Sequence, residues 1–233
     1  MIRTTLIAIA GLAAAANADV LFSFASDTDH TSYTFAGAGS GVFDAQDTGD
    51  VIELLIDDGN GGNTPLSYEV EFAAEFAIGY AGSVDLGGGL FVHTYSLSGE
   101  FGFYDLSGGA VLTASIEGGA LTALGGQSNW LSTSTVLGAD GDASGVAYTW
   151  HLDDNAAYGL YNGMSVGPAD DAAFTLTFLQ SSDGPGVGLG SDMLPSDEWV
   201  SEGSYSGSAA FVPAPATAGL LVGAGLLGFR RRR

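Results

Sequence analysis

Residues 68–80 read YEVEFAAEFAIGY, and their alternation decides the fold class. Tyr68, Val70, Phe72, Ala74, Phe76, Ile78 and Tyr80 fall on one side; Glu69, Glu71, Ala73, Glu75, Ala77 and Gly79 fall on the other. A period of two sustained over this length is that of a half-buried strand, with a bend or bulge expected midway. One face is core and the other is carboxylate. Three glutamates on one face also invite a glycosidase reading. Retaining enzymes want the pair about 5 Å apart and inverting enzymes farther, and residues two apart on a strand stand roughly 7 Å from each other, but such spacing arises on any polar strand face. A solvated face is the expectation.

Working outward, Phe91, His93, Tyr95, Leu97, Phe101 and Phe103 line one side of a second long segment, opposite Thr94, Ser96, Ser98 and Glu100. Residues 83–89, with Gly87-Gly88-Gly89, read as the turn between the two, so a long antiparallel hairpin is predicted. Further strands are expected at 20–25, 51–56, 110–116, 130–137, 146–152, 172–179 and 199–211, separated by turn-rich clusters such as DDGNGGN at 57–63 and SDGPG at 182–186. No amphipathic helical run appears outside the two ends. Some nine or ten strands in this spacing predict an all-β domain, an antiparallel β-sandwich or jelly roll. The nonapeptide glycine and aspartate spacing of a calcium-binding β-helix is not sustained.

Composition constrains what such a domain can do. The chain has 233 residues, among them 37 glycines, no cysteine, 27 acidic residues and 5 basic ones, for a formal net charge of −22. Its basic residues are Arg3 and Arg230 to Arg233, so residues 19–211 contain neither lysine nor arginine. Nucleic acid is thereby excluded as an electrostatic partner, because binding it requires cations that displace condensed counterions. An anionic membrane surface would repel the domain as well. Its carboxylates must be solvated, hydrogen-bonded or neutralised by metal, which suits a salty or calcium-containing medium. Without disulfides, stability must come from the hydrophobic core, with or without metal.

The ends carry processing signals. Arg3, a short apolar run over 6–16 and the A-x-A triplet Ala16-Asn17-Ala18 predict a secretory signal peptide over residues 1–18, cleaved by signal peptidase before Asp19. The competing reading is a buried N-terminal helix. At the C-terminus, Val212-Pro213-Ala214-Pro215 precedes an apolar Gly/Ala/Leu segment over 217–229, and the chain closes on Arg230, Arg231, Arg232 and Arg233. As a helix that segment rises about 20 Å, short of the roughly 30 Å hydrocarbon core. The arginines would stay cytoplasmic, leaving the acidic domain across the inner membrane.

This tail, residues 212–233, resembles the PEP-CTERM sorting signal: prolines, a short hydrophobic helix, then a basic cluster. Pro213 and Pro215 fill the proline positions, and Ala214 stands where glutamate is usual. The resemblance implies transient insertion in the inner membrane, recognition by an exosortase-like processing enzyme, release to the cell surface or exterior, and association with exopolysaccharide and biofilm. It covers the tail and implies nothing about residues 19–211.

For that middle domain, Asp57, Asp58, Asn60 and Asn63 in their glycine-rich turn are the best candidate ligands for Ca²⁺, which takes six to eight oxygens. Asp140 with Asp142, Asp153 with Asp154 and Asn155, and Asp170 with Asp171 are shorter versions. None matches the EF-hand loop, and solvated turn residues are the competing account. His30, His93 and His151 are available for nucleophilic chemistry, yet no G-x-S-x-G exists: Gly203-Ser204-Tyr205-Ser206-Gly207 places tyrosine at the nucleophile position, and His93 reads as a satisfied core histidine. No catalytic residue is assigned. The glycine-rich run at 184–190 lacks the lysine and helix of a phosphate loop and reads as a flexible surface loop. Trp130, Trp150 and Trp199 are either sugar-stacking surfaces or core. The leading expectation is an exported, non-enzymatic surface or matrix protein associated with extracellular polysaccharide, with Ca²⁺ as candidate cofactor; a secreted glycan hydrolase and a lectin-like module are the alternatives.

Overall fold

The computed structural model describes residues 19–25, 33–36, 41–47, 51–57, 65–140, 145–153, 160 and 162–211. The predicted leader and sorting tail lie outside these residues, as do Asp58, Asn60 and Asn63. Among the described residues no helix is long and apolar enough to cross a membrane.

The domain is all-β, and its named strands pair antiparallel throughout. They are β1 Asp19–Ala25, β2 Tyr33–Ala36, β3 Val42–Asp47, β4 Ile52–Asp57, β5 Leu66–Gly87, β6 Leu90–Tyr104, β7 Ala110–Gly126, β8 Asn129–Asp140, β9 Ala147–Trp150, β10 Met164–Ser181, β11 Gly184–Pro185, β12 Val187–Gly188 and β13 Trp199–Phe211. The expected hairpin of residues 68–80 with 91–103 is present as β5 and β6. Its turn is tighter than expected, since pairing continues to Gly87↔Leu90. Gly88 and Gly89 alone turn the chain, at φ of 66° and 83°, the positive pair that a two-residue hairpin loop with matching twist requires.

The long strands change partners along their length, and the pairing closes on itself. It runs from β1 through β4, β5, β6, β7, β8, β10 and β13 back to β1, with β2 and β3 bridging β13 to β5 and β9 bridging β7 to β10. Among the described residues, closure leaves no long free edge for another chain to extend. Inward-facing residues meet in one core. Phe101 of β6 stands 5.2 Å from Phe174 of β10 and 5.4 Å from Tyr205 of β13, centroid to centroid, so aromatic rings fill the space between opposite walls. Phe72 and Phe76 of β5 complete the group, at 5.4 and 6.1 Å from Phe174.

Two polar devices pin connections onto this core. The buried Tyr95 hydroxyl donates to the Met193 carbonyl at 2.7 Å and accepts from Trp130 Nε1 at 3.0 Å, tying down the segment after β12; burial pushes this phenol up to about 12. In the β6–β7 turn, Asp105 Oδ1 accepts the Ser107 hydroxyl at 2.6 Å and the amides of Ser107 and Gly109 at 2.8 Å. These bonds, the Ser107 hydroxyl foremost, hold its carboxyl below the usual range. The run at 184–190 is no free loop: Gly184–Pro185 pairs with β10, Val187–Gly188 pairs with β8, and Val187 is buried.

Candidate functional site

Four strands carry a concavity on their outward face. Register sets its floor: Glu75 of β5 lies opposite Glu100 of β6, Glu100 opposite Ser115 of β7, and Ser115 opposite Ala147 of β9. The next row is Ala73, Gly102, Thr113 and Thr149, joined in the same way. Small side chains across two rows leave a groove of about 470 Å³. Tyr104 closes one end. Its ring lies over Gly102, where a Cβ would stand 2.8 Å from the phenol oxygen. A side chain there would push the ring aside, so glycine at 102 keeps Tyr104 seated over the sheet.

The lining is chemically mixed: hydroxyls from Thr113, Ser115 and Thr149, carboxylates from Glu75 and Glu100, and one aromatic ring. Thr113 Oγ1 is bonded at 2.8 Å to Nε2 of His151, whose backbone amide donates to the Val111 carbonyl. Glu75 and Glu100 are exposed, and at backbone level the acidic row extends to Asp44 of β3, the register partner of Glu75. Like charges directly opposite one another are unfavourable on a sheet, and residues 19–211 offer no lysine or arginine to relieve them. The groove therefore favours ligands that donate hydrogen bonds or carry positive charge.

The residues singled out from sequence fare differently. Glu69, Glu71 and Glu75 are exposed, the solvated face expected of them. Of the calcium candidates, Asp57 is the last residue of β4 and half-buried; its three companions are not described. Asp170 and Asp171 belong to β10, not to a loop, beside an irregularity between Ala169 and Asp171. Asp153 accepts the Asn162 amide at 3.1 Å. Among the described residues no group of three or more His, Asp or Glu is arranged to hold a metal. His93 is buried with both nitrogens engaged, as expected of a core histidine. Trp130, Trp150 and Trp199 are at most 2 % exposed, so all three serve the core and none can stack on a sugar. Tyr104 is the aromatic that lines the groove, and neither it nor the Glu75–Glu100 pairing stood out in the sequence.

No family model, no curated protein and no solved structure matches this chain.

Proposed function

We propose that this chain is an exported surface or matrix protein whose closed, flattened sheet acts as a sandwich-like module binding extracellular polysaccharide in the groove of β5, β6, β7 and β9, without transforming it. The groove is the observation that carries this reading. A sugar ring presents C–H faces that lie on an aromatic and hydroxyls that donate to carboxylates, and Tyr104 with Glu75 and Glu100 offers both. An open surface four strands wide suits a polymer better than a small metabolite. Charge narrows the choice to neutral or cationic glycans, since a polyanion would meet only repulsion. Export rests on the leader and on the PEP-CTERM-like tail.

Retention of the purified protein on immobilised neutral, amino-substituted and carboxylated polysaccharides tests this. Binding is expected for the first two classes. Tyr104→Ala is expected to weaken it by about 1 kcal/mol or more, roughly fivefold or more, on the scale of an aromatic stacking contact. Equal retention of wild type and Tyr104→Ala, or preference for the carboxylated polymer, would overturn the assignment.

One observation favours a second reading. Direct cross-strand partners have Cβ atoms roughly 4.5–5.5 Å apart, so the side chains of Glu75 and Glu100 can bring their carboxyls to about 5 Å, the separation at which a retaining pair works. Release of new reducing ends from a bound polysaccharide, lost in both Glu75→Gln and Glu100→Gln, would convert the module into a hydrolase.

Ca²⁺ remains the proposed cofactor, through Asp57, Asp58, Asn60 and Asn63 in the glycine-rich sequence that follows β4. At fixed ionic strength, calcium at a hundred times its Kd is expected to stabilise the fold by about 2.7 kcal/mol, read as a rise in Tm that magnesium does not reproduce. An unchanged Tm removes calcium from the proposal.

A further inference from the structure

The distal half of the β5–β6 hairpin holds a second constellation, apart from the groove. His93 is 0 % exposed, yet each ring nitrogen has a partner: Nε2 lies 2.7 Å from the Gly126 carbonyl oxygen and Nδ1 lies 2.6 Å from Ser83 Oγ. Ser83 Oγ is in turn 2.7 Å from the Tyr80 hydroxyl, and both Ser83 and Tyr80 are exposed. A carbonyl can only accept, so Nε2 carries the ring proton. In neutral imidazole Nδ1 is then a bare acceptor, and the Ser83 hydroxyl donates to it. With that proton committed, the Tyr80 hydroxyl donates to Ser83 Oγ. A one-way relay results, from Tyr80 through Ser83 to His93, in which Gly126 fixes the tautomer.

The fold builds this from strand register. Ser83 and His93 are direct partners across β5 and β6, and the irregularity between Tyr80 and Gly82 falls between Tyr80 and Ser83, the two residues whose hydroxyls meet at Ser83 Oγ. Phe91 stacks on His93 with centroids 6.1 Å apart and is itself partly exposed. The parts match an activated nucleophile: a hydroxyl within reach of a base, and a base oriented by a third group. They differ from a buried triad in that the hydroxyl faces solvent.

We infer that Ser83 is a nucleophile activated by His93, and that this end of the hairpin hydrolyses carboxylic esters with a short acyl group that can lie against Phe91. Ser83 Oγ attacks the acyl carbon while its proton passes to His93 Nδ1. The bond from acyl carbon to the leaving oxygen breaks, and the departing alcohol takes that proton. Water, deprotonated by the same nitrogen, then cleaves the acyl-serine and returns the proton to Ser83 Oγ. The Tyr80 hydroxyl, already donating to Oγ, stabilises negative charge as it develops there.

A serine that merely satisfied a buried histidine would show the same distances, so the test reads reactivity. The full chain is treated with a phosphonofluoridate serine probe, and modification is followed site by site by mass spectrometry. Ser83 is expected to react on the order of 10²-fold faster than the exposed Ser96 and Ser204, the lower range of a general-base contribution. His93→Gln keeps an amide donor for Gly126 and is expected to reduce Ser83 to the rate of those serines. Hydrolysis of a p-nitrophenyl short-chain ester should disappear in Ser83→Ala, with the far-UV spectrum unchanged. Labelling of Ser83 no faster than Ser96 and Ser204 overturns the inference; that comparison needs only the wild-type protein, so misfolding of a variant cannot obscure it.

Discussion

Replacing Gly99 by alanine is expected to destabilise the domain by roughly 3 kcal/mol or more, combining about 1–3 kcal/mol of backbone strain with a similar overpacking cost. Gly99 sits at φ +149°, where β6 slips register against β7, and a Cβ there would stand 2.1 Å from the Glu75 carbonyl oxygen and 2.9 Å from Phe76 Cα. Both obstacles are backbone of the neighbouring strand, so no side chain can rotate away to make room. Relief requires β5 and β6 to separate at the pair Phe76↔Gly99, next to Glu75↔Glu100. Urea unfolding should show the midpoint falling sharply, and the protein that remains folded should bind glycan more weakly because its two carboxylates have moved apart. Gly82→Ala is the control: it lies on the same hairpin with no atom within 4 Å of a new Cβ. It should leave stability unchanged or raise it by about 0.4–1 kcal/mol through the unfolded state. Equal midpoints for Gly99→Ala and wild type would mean that the close approach of β5 and β6 at this point is wrong.

That bulge belongs to the part of the architecture that sequence could not reveal. Alternation made β5 legible because Val70, Phe72, Phe76 and Ile78 are all buried while Glu69, Glu71 and Glu75 are exposed. β13 was legible for a similar reason, with Trp199, Tyr205 and Ala209 inward. β2, of four residues, is too short to show a period, β3 (VFDAQD) has no sustained apolar alternation, and β7 runs on beyond the expected 110–116 through Gly118-Gly119, past the Gly99 irregularity. The groove depends on something subtler. An unbroken register from Gly87↔Leu90 would set Glu75 opposite Gly102. Two irregularities, between Asp85 and Gly87 and between Tyr80 and Gly82, each slip the pairing by one residue. Together they preserve which face each residue occupies, since side chains alternate with period two, but they exchange Gly102 for Glu100 as the partner of Glu75. Periodicity detects faces, and so the carboxylate face was foreseen. It cannot detect an even slip along the strand, and so the carboxylate pair was not. The relay at Ser83 depends on the same slips.

Phe101→Ala is expected to cost about 3–5 kcal/mol, the range for truncating a buried phenylalanine. Its ring, 2 % exposed, meets Phe72 and Phe76 of β5, Phe103 of its own strand, Tyr148 of β9, Phe174 of β10 and Tyr205 of β13, with centroids between 5.2 and 6.4 Å. No single wall of the closed sheet can collapse to fill the space, because the ring touches strands on opposite sides and each is held by its own ladder. Phe101→Leu, which keeps much of the volume, should cost markedly less. Phe178→Ala gives the contrasting case, for that side chain is 61 % exposed and its φ of 52° is equally unfavourable to phenylalanine and alanine. Its effect should stay within about 0.5 kcal/mol. Residue 101 also connects stability to the proposed binding, since it lines the groove itself, next to Glu100. If the groove takes a glycan as proposed, a rigid core beneath it would keep its two rows in place beforehand and so lower the ordering cost of binding. Phe101→Ala should therefore weaken glycan retention even at temperatures where the variant is fully folded, whereas Phe178→Ala should not. Unimpaired retention by folded Phe101→Ala would separate the core from the groove and place recognition on surface residues alone.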